Sequence, residues 1–226
     1  MATRSTPALR YLDLLVIVLF YGTLGVAAVG ARPQGAPAVP TSLYVLDFNG
    51  DGIALTSAAE GVEFDIDGTG KRVRIGWTTA DSDDAFLAID VNKNGTIDSA
   101  RELISTRTTL PGGEIVRSAN EVLNNLQGLG PAVPGTRVPP GSAFFDSADA
   151  AFGSVFVWVD RNRDGRSQPD ELRSLAAAAV KSIYGGFQRS RAVDAHGNHT
   201  LLTGIFSIEQ RGVEFQRPLA IVRLAR

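Results

Sequence analysis

The chain has 226 residues, with 22 Lys and Arg against 24 Asp and Glu, a formal net charge of -2, two histidines and no cysteine. That length suits one domain with appendages, and a hydrophobic content of 44% is enough for a packed core. The charge balance excludes a broadly basic nucleic-acid binder. The missing cysteines exclude disulfides, thiolate zinc sites and thiol nucleophiles, and two histidines leave little for a His-rich metal site. Asp, Asn and Gly are plentiful. They supply oxygen ligands and tight turns, which suit a hard cation.

Arg4 and Arg10 precede an uncharged apolar run over residues 14–30, and Val29, Gly30 and Ala31 offer a small-residue exit. A basic start, an apolar middle and such an exit read as a signal peptide over residues 1–31. The alternative is an uncleaved signal anchor, with residues 11–31 as a tether in the inner membrane. The expected location is therefore secreted, periplasmic or at the cell surface. Residues 32–42 carry Pro33, Pro37 and Pro40 and form a linker. The folded domain is expected over 43–226.

Within it, Tyr44, Val45 and Leu46 form a buried-strand run. Residues 62–66 alternate with period two, and residues 71–77 do the same with Val73, Ile75 and Trp77 on one face. Asp67, Gly68, Thr69 and Gly70 between them read as a hairpin turn. Residues 85–89 are another short apolar run. Val122, Leu123 and Leu126 have helical spacing, and 130–141 is a Pro/Gly-rich loop. A strand follows at 155–159. Residues 169–180 give the strongest predicted helix, with Pro169 in its first turn and Leu172, Leu175, Ala176 and Ala179 on one face. Residues 200–208 and 213–224 read as a closing antiparallel pair. There is no regular βαβ rhythm, so the expected class is α+β: short antiparallel strands with a few helices and EF-hand-like loops, preceded by the N-terminal apolar helix.

The chemistry lies in the acidic loops. Residues 160–171 place Asp160, Asn162 and Asp164 at positions one, three and five, Gly165 at six and Glu171 at twelve. This is the EF-hand calcium pattern with a strand in place of the entering helix. Arg166 would bind through its carbonyl and Gln168 through a water. Ser167 stands at position eight, where an aliphatic residue normally pairs two loops. Arg161, Arg163 and Arg166 oppose a cation, so weak affinity is expected. A second loop offers Asp90, Asn92, Asn94, Thr96 and Asp98, but Arg101 occupies position twelve and Glu102 comes one residue late. Glu102 could still reach if a short helix at 99–104 starts differently. A third segment has Asp47, Asn49 and Asp51, with Ala58 at the closing position and Asp65 and Asp67 as candidates to complete the shell. Asp81, Asp83 and Asp84 read as a solvated acidic loop. His196 and His199 read as a surface turn, and Trp77 and Trp158 as core. No nucleophile elbow or phosphate-binding glycine loop occurs.

The succession of Asp47-Phe48-Asn49-Gly50-Asp51-Gly52, Phe64-Asp65-Ile66-Asp67-Gly68, Gly76-Trp77, Asp83-Asp84-Ala85-Phe86-Leu87, the Asp90 loop with Glu102-Leu103, Val157-Trp158 and the Asp160 loop with Glu171-Leu172 resembles the calcium-dependent EF-hand-like module of bacterial RTX-type secreted proteins, including their self-processing module. The resemblance covers roughly residues 43 to 185. It implies a secreted module that folds on meeting extracellular calcium. In some members the module cleaves an Asp-Pro bond just before the first acidic loop. Here that junction is Ser42 and Leu43, and no Asp-Pro dipeptide occurs anywhere in the chain. Two further departures are residues 131–142, which hold no carboxylate where relatives carry another loop, and Ala54, which replaces a common glutamate. The expected function is non-enzymatic calcium binding that stabilises the fold, with an unknown protein partner. The alternatives are a calcium-dependent self-processing enzyme and an adhesion module with degenerate loops.

Overall fold

The computed structural model describes residues 40–108 and 144–226. The chain divides into two units, Met1–Ala38 and Val39–Arg226. The expected signal segment, nearly all of the linker, the helix at 119–126 and the Pro/Gly-rich loop lie outside the described residues. No helix among the described residues is long and apolar enough to cross a membrane.

The strands are β1 (Leu43–Leu46), β2 (Val62–Phe64), β3 (Val73–Ile75), β4 (Ala85–Ala88), β5 (Phe144–Asp146) and β6 (Phe156–Trp158). They continue as β7 (Leu172–Ser174), β8 (Val180–Tyr184), β9 (Gln188–Arg189), β10 (His199–Gln210) and β11 (Val213–Arg223). One sheet runs in the order β5-β8-β10-β11-β1-β4-β6-β7, and β9 pairs with the start of β10 beyond β8. Every pairing is antiparallel. The β2–β3 hairpin forms a separate two-stranded sheet.

Central strands bury both faces. In β1, Tyr44 and Leu46 enter one core with Leu87, Val157, Phe206 and Ile221. Leu43 and Val45 enter the other with Phe64, Trp77, Phe86, Trp158 and Val222. This explains why β1 and β4 read as unbroken apolar runs instead of alternating. The β2–β3 hairpin and residues 97–103 supply Val62, Phe64, Ile75, Ile97, Ala100 and Leu103 to the second core. There Trp77 packs 4.4 Å from Phe86, 5.0 Å from Phe64 and 5.6 Å from Trp158, ring centre to ring centre.

The described residues are all-β, which overturns the α+β expectation. Their one helical element is a single 3-10 turn, Ala150–Ser154. The helix predicted over 169–180 is absent. Leu172 instead pairs with Trp158, and Ser174 with Phe156, as β7. A hydrogen-bonded turn follows: the Ala178 N–H donates to Ser174 O, and the Val180 N–H to Leu175 O. Ala179, at φ +59°, ends it in the left-handed region. The spacing of Leu172, Leu175 and Ala179 belongs to a strand end and a turn, because pairing with β6 outweighs helix propensity. The short helix at 99–104 is also absent. Ser99 bridges to Asp65 and Leu103 to Ala88, and between them a turn is closed by the Glu102 N–H on Ser99 O. The expected β2–β3 hairpin and the β10–β11 pair are present.

Candidate metal centre

Four Asp-led loops share one backbone shape. Their fourth and sixth residues all have positive φ: Gly50 and Gly52, Gly68 and Gly70, Lys93 and Gly95, Arg163 and Gly165. In each, the leading carboxylate is wrapped by backbone N–H groups of the turn. Asp160 accepts from Asp164 and Gly165, Asp90 from Asn94 and Gly95, Asp65 from Thr69 and Gly70, and Asp47 from Gly50 and Gly52. The third-position side chains repeat the pattern: Asn49, Asn92 and Asn162 each accept the N–H of the fifth residue. These turns hold the leading carboxylate, and the third-position Asn where present, against the backbone of their own loop.

The Asp160 loop is closed. Glu171, buried at the start of β7, accepts from the Arg161 N–H at 2.8 Å and the Asn162 N–H at 3.3 Å with Oε1, and from the Gln168 N–H with Oε2. Two indoles complete the wall. Trp77 Nε1 donates to Asp160 Oδ2 at 2.9 Å, and Trp158 Nε1 to Glu171 Oε2 at 3.4 Å. Asp164 accepts from the Arg166 N–H with Oδ1 and from Gln168 Nε2 with Oδ2. Burial, then the charges of Glu171 and Asp164, push the Asp160 carboxyl up to about 6. Arg161 donates to Asp170 O and Arg163 to Glu60 O, so both guanidinium groups are held on backbone carbonyls and keep their positive charge near the loop.

The Asp90 loop is closed by the late glutamate. Glu102 is buried, and its Oε2 accepts the Asp98 N–H at 3.2 Å. Burial, then the charges of Asp98 and Asp90, raise its carboxyl to about 7. Asn94 Oδ1 accepts from both the N–H and the hydroxyl of Thr96. The two loops touch at position eight: the Ser167 N–H donates to Ile97 O at 3.1 Å, and the Ile97 N–H donates to Ser167 Oγ at 2.6 Å.

The Asp47 loop is completed differently from the sequence expectation. Asp65 wraps its own turn, and Asp67 pairs with the Arg226 guanidinium at 2.6 and 3.1 Å. The missing carboxylate comes instead from Asp83, whose oxygen lies with those of Asp47 and Asp51 in a group spanning at most 4.8 Å. Burial, then the charges of Asp47 and Asp51, raise the Asp83 carboxyl. Asp84 behind it is buried, bonds the Ala54 N–H and is pushed up to about 6 by burial first, with the charges of Asp47 and Asp83 adding. Asp83, read from the sequence as part of a solvated loop, thus belongs to this group, and Asp84 is buried behind it. A groove of about 550 Å³, lined in part by Phe48, Asp81, Asp83, Arg161 and Arg173, opens beside it.

Among the described residues, three buried side-chain oxygens have no hydrogen-bond partner: Asp84 Oδ1, Glu102 Oε1 and Gln168 Oε1. Glu102 closes the Asp90 loop and Gln168 lies in the Asp160 loop, whereas Asp84 lies just before β4, behind Asp83. An unpaired buried acceptor costs about 1–3 kcal/mol; among the described residues, Asp47, Asp51 and Asp83 are the acidic side chains that gather closely enough to hold one metal ion together. All-oxygen donor sets of this kind suit Ca2+, which takes six to eight ligands in flexible geometry.

The SPM domain family model matches residues 44–214. This chain belongs to the SPM domain family. That match runs from β1 into β11 and takes in all four loops. The domain is also 36% identical over 140 residues to the iron-regulated protein FrpA of Neisseria meningitidis serogroup C. That alignment covers 61% of this chain and 11% of FrpA, so the SPM domain corresponds to a small part of that relative's length.

Proposed function

We propose that this SPM domain is an exported, RTX-related calcium-binding module whose Asp160, Asp90 and Asp47 loops each take a Ca2+ and whose fold the ions stabilise. The observation that carries the reading is the gathering of Asp47, Asp51 and Asp83 oxygens within 4.8 Å, and the buried, unpartnered Glu102 Oε1 supports it at the Asp90 loop. A cation binding the folded chain and not the unfolded one adds its binding free energy to stability. In this reading Asp160, Asn162, Asp164, Glu171 and the Arg166 carbonyl hold one ion. Asp90, Asn92, Asn94, Thr96, Asp98 and Glu102 supply the second set, and Asp47, Asn49, Asp51 and Asp83 the third. The N-terminal 31 residues direct export, and the module serves through binding, without catalysis of its own. Support for that last point lies at the junction of Ser42 and Leu43. Both residues are buried, the Ser42 N–H donates to Thr106 Oγ1, the Thr106 N–H returns to Ser42 O, and neither an Asp nor a Pro is present to be cleaved.

The test is a thermal melt of the full chain in millimolar calcium, in chelator and in magnesium, with a gel of the same samples. The expected result is a calcium-specific rise in melting temperature on the order of 10 °C and no new fragment. An unchanged melt would return the loops to ordinary Asp/Asn/Gly turns and favour the adhesion reading. A discrete calcium-triggered fragment would make the chain an enzyme.

A further inference from the structure

The β2–β3 hairpin grips both paired loops. On the Asp90 side, the Ala100 N–H donates to Asp65 O at 2.9 Å and Arg101 Nε to Gly68 O at 2.6 Å. On the Asp160 side, Arg72 sits just before β3, and its guanidinium donates to Glu63 O within the hairpin. The same group donates to Asp164 O at 2.7 Å and reaches Gly165 O at 3.4 Å. The approach is close: a Cβ on Gly165 would stand 2.6 Å from Glu63 O and 2.9 Å from Arg72 Nη2. Arg163 reaches back from the loop to Glu60 O.

A guanidinium beside a cation loop opposes the ion by its charge. Arg72 nonetheless brings one nitrogen, Nη2, to three backbone carbonyls at the end of a stem longer than lysine's, so an ammonium at that position falls short of the same contacts. We propose that Arg72 is a positioning residue for calcium: it fixes the fifth and sixth residues of the Asp160 loop in the shape its ligand set needs, and it ties that loop through the hairpin to the Asp90 loop. This rests on the calcium reading above and extends it to a residue that holds no ion. Charge and position predict opposite signs. If Arg72 acted by charge alone, its removal would tighten calcium binding, and lysine would behave as arginine. If it acts by position, Arg72→Gln and Arg72→Lys both weaken binding, although lysine keeps the charge.

The experiment titrates calcium into the full wild-type chain, Arg72→Lys and Arg72→Gln by calorimetry, with tryptophan emission followed in parallel because Trp77 bonds Asp160. Circular dichroism in chelator checks that each variant is folded, and Arg72→Lys, which keeps the charge and the aliphatic stem, guards against simple unfolding. The expected result is roughly tenfold weaker binding at the site that changes the indole signal, for both variants. Equal or tighter binding by Arg72→Gln, or wild-type affinity in Arg72→Lys, would overturn the role of Arg72 and leave the calcium reading standing. A wild-type chain that takes up no calcium would overturn the calcium reading itself, and this one with it.

Discussion

Glu102 carries two opposed demands in one side chain. Its carboxylate is buried with Oε1 unpartnered, and burial followed by the Asp98 and Asp90 charges raises its pKa to about 7. Without an ion the negative charge is a liability; in the calcium reading proposed above it is the ligand that closes the Asp90 loop. Glu102→Gln keeps the shape and removes the charge. In chelator the variant is expected to melt ~2–4 °C above wild type, while its calcium-induced rise shrinks. A Glu102→Gln chain that melts lower in chelator and gains the full calcium shift would refute this account. Asp160 differs, because its carboxylate also accepts from Gly165, Asp164 and Trp77. Asp160→Ala should therefore lower the melting temperature in chelator as well as abolish the indole response. Asp83→Asn separates the third site from the other two. Calorimetry should find one calcium fewer per chain, with the tryptophan response intact, since no indole bonds the Asp47, Asp51 and Asp83 group. An unchanged stoichiometry would remove Asp83 from the ligand set.

At the scale of elements, the turn after β7 holds a residue in an unfavourable place. Ala179 has φ +59°, where a Cβ crowds the backbone, and it ends the hydrogen-bonded turn that the Leu175 carbonyl closes. Ala179→Gly should stabilise the domain by about 0.5–1 kcal/mol, seen as a rise of ~1–4 °C in the melting temperature; a fall would mean that the Ala179 methyl contributes more by packing than it costs in strain. The same turn marks where the sequence misleads. Leu172, Leu175, Ala176 and Ala179 fall at helical spacing, and Pro169 sits where a helix would begin. Pairing of Leu172 and Ser174 with β6 is a long-range fact that local periodicity does not carry. The acidic loops were legible because their chemistry is local: an Asp, an Asn two residues on and a glycine at position six dictate the same turn wherever they occur. The partners of those loops were not. Asp83 reaches the Asp47 loop across the packing of β4 against β1, Trp77 meets Asp160 from 83 residues away, and Arg72 meets Asp164 from 92 residues away. The one distant pairing with a sequence signal was that of Ile97 and Ser167, both at position eight of their loops.

Across the whole molecule, these carboxylates make stability depend on pH in a direction that calcium reverses. Burial first, with neighbouring acids adding, lifts Asp84 and Asp160 to about 6 and Glu102 to about 7. In the unfolded chain the same groups titrate near 4. Between those limits the folded state binds more protons than the unfolded one, so stability of the ion-free chain increases as pH falls from about 8 towards 5. The fold loses that help as pH rises through 6 to 7, when all three groups ionise inside it. In the calcium reading the ion requires ionised Asp160 and Glu102, so protons compete with it over the same window, and binding below pH 7 would release protons. Melting temperatures in chelator should therefore rise on the order of 5 °C from pH 8 to pH 5.5, while those in saturating calcium fall over the same range. The two curves approach each other on the acid side and are furthest apart near pH 8. Parallel curves would show that ion binding and these three protonations are independent, and that the buried carboxylates are not the groups that hold calcium.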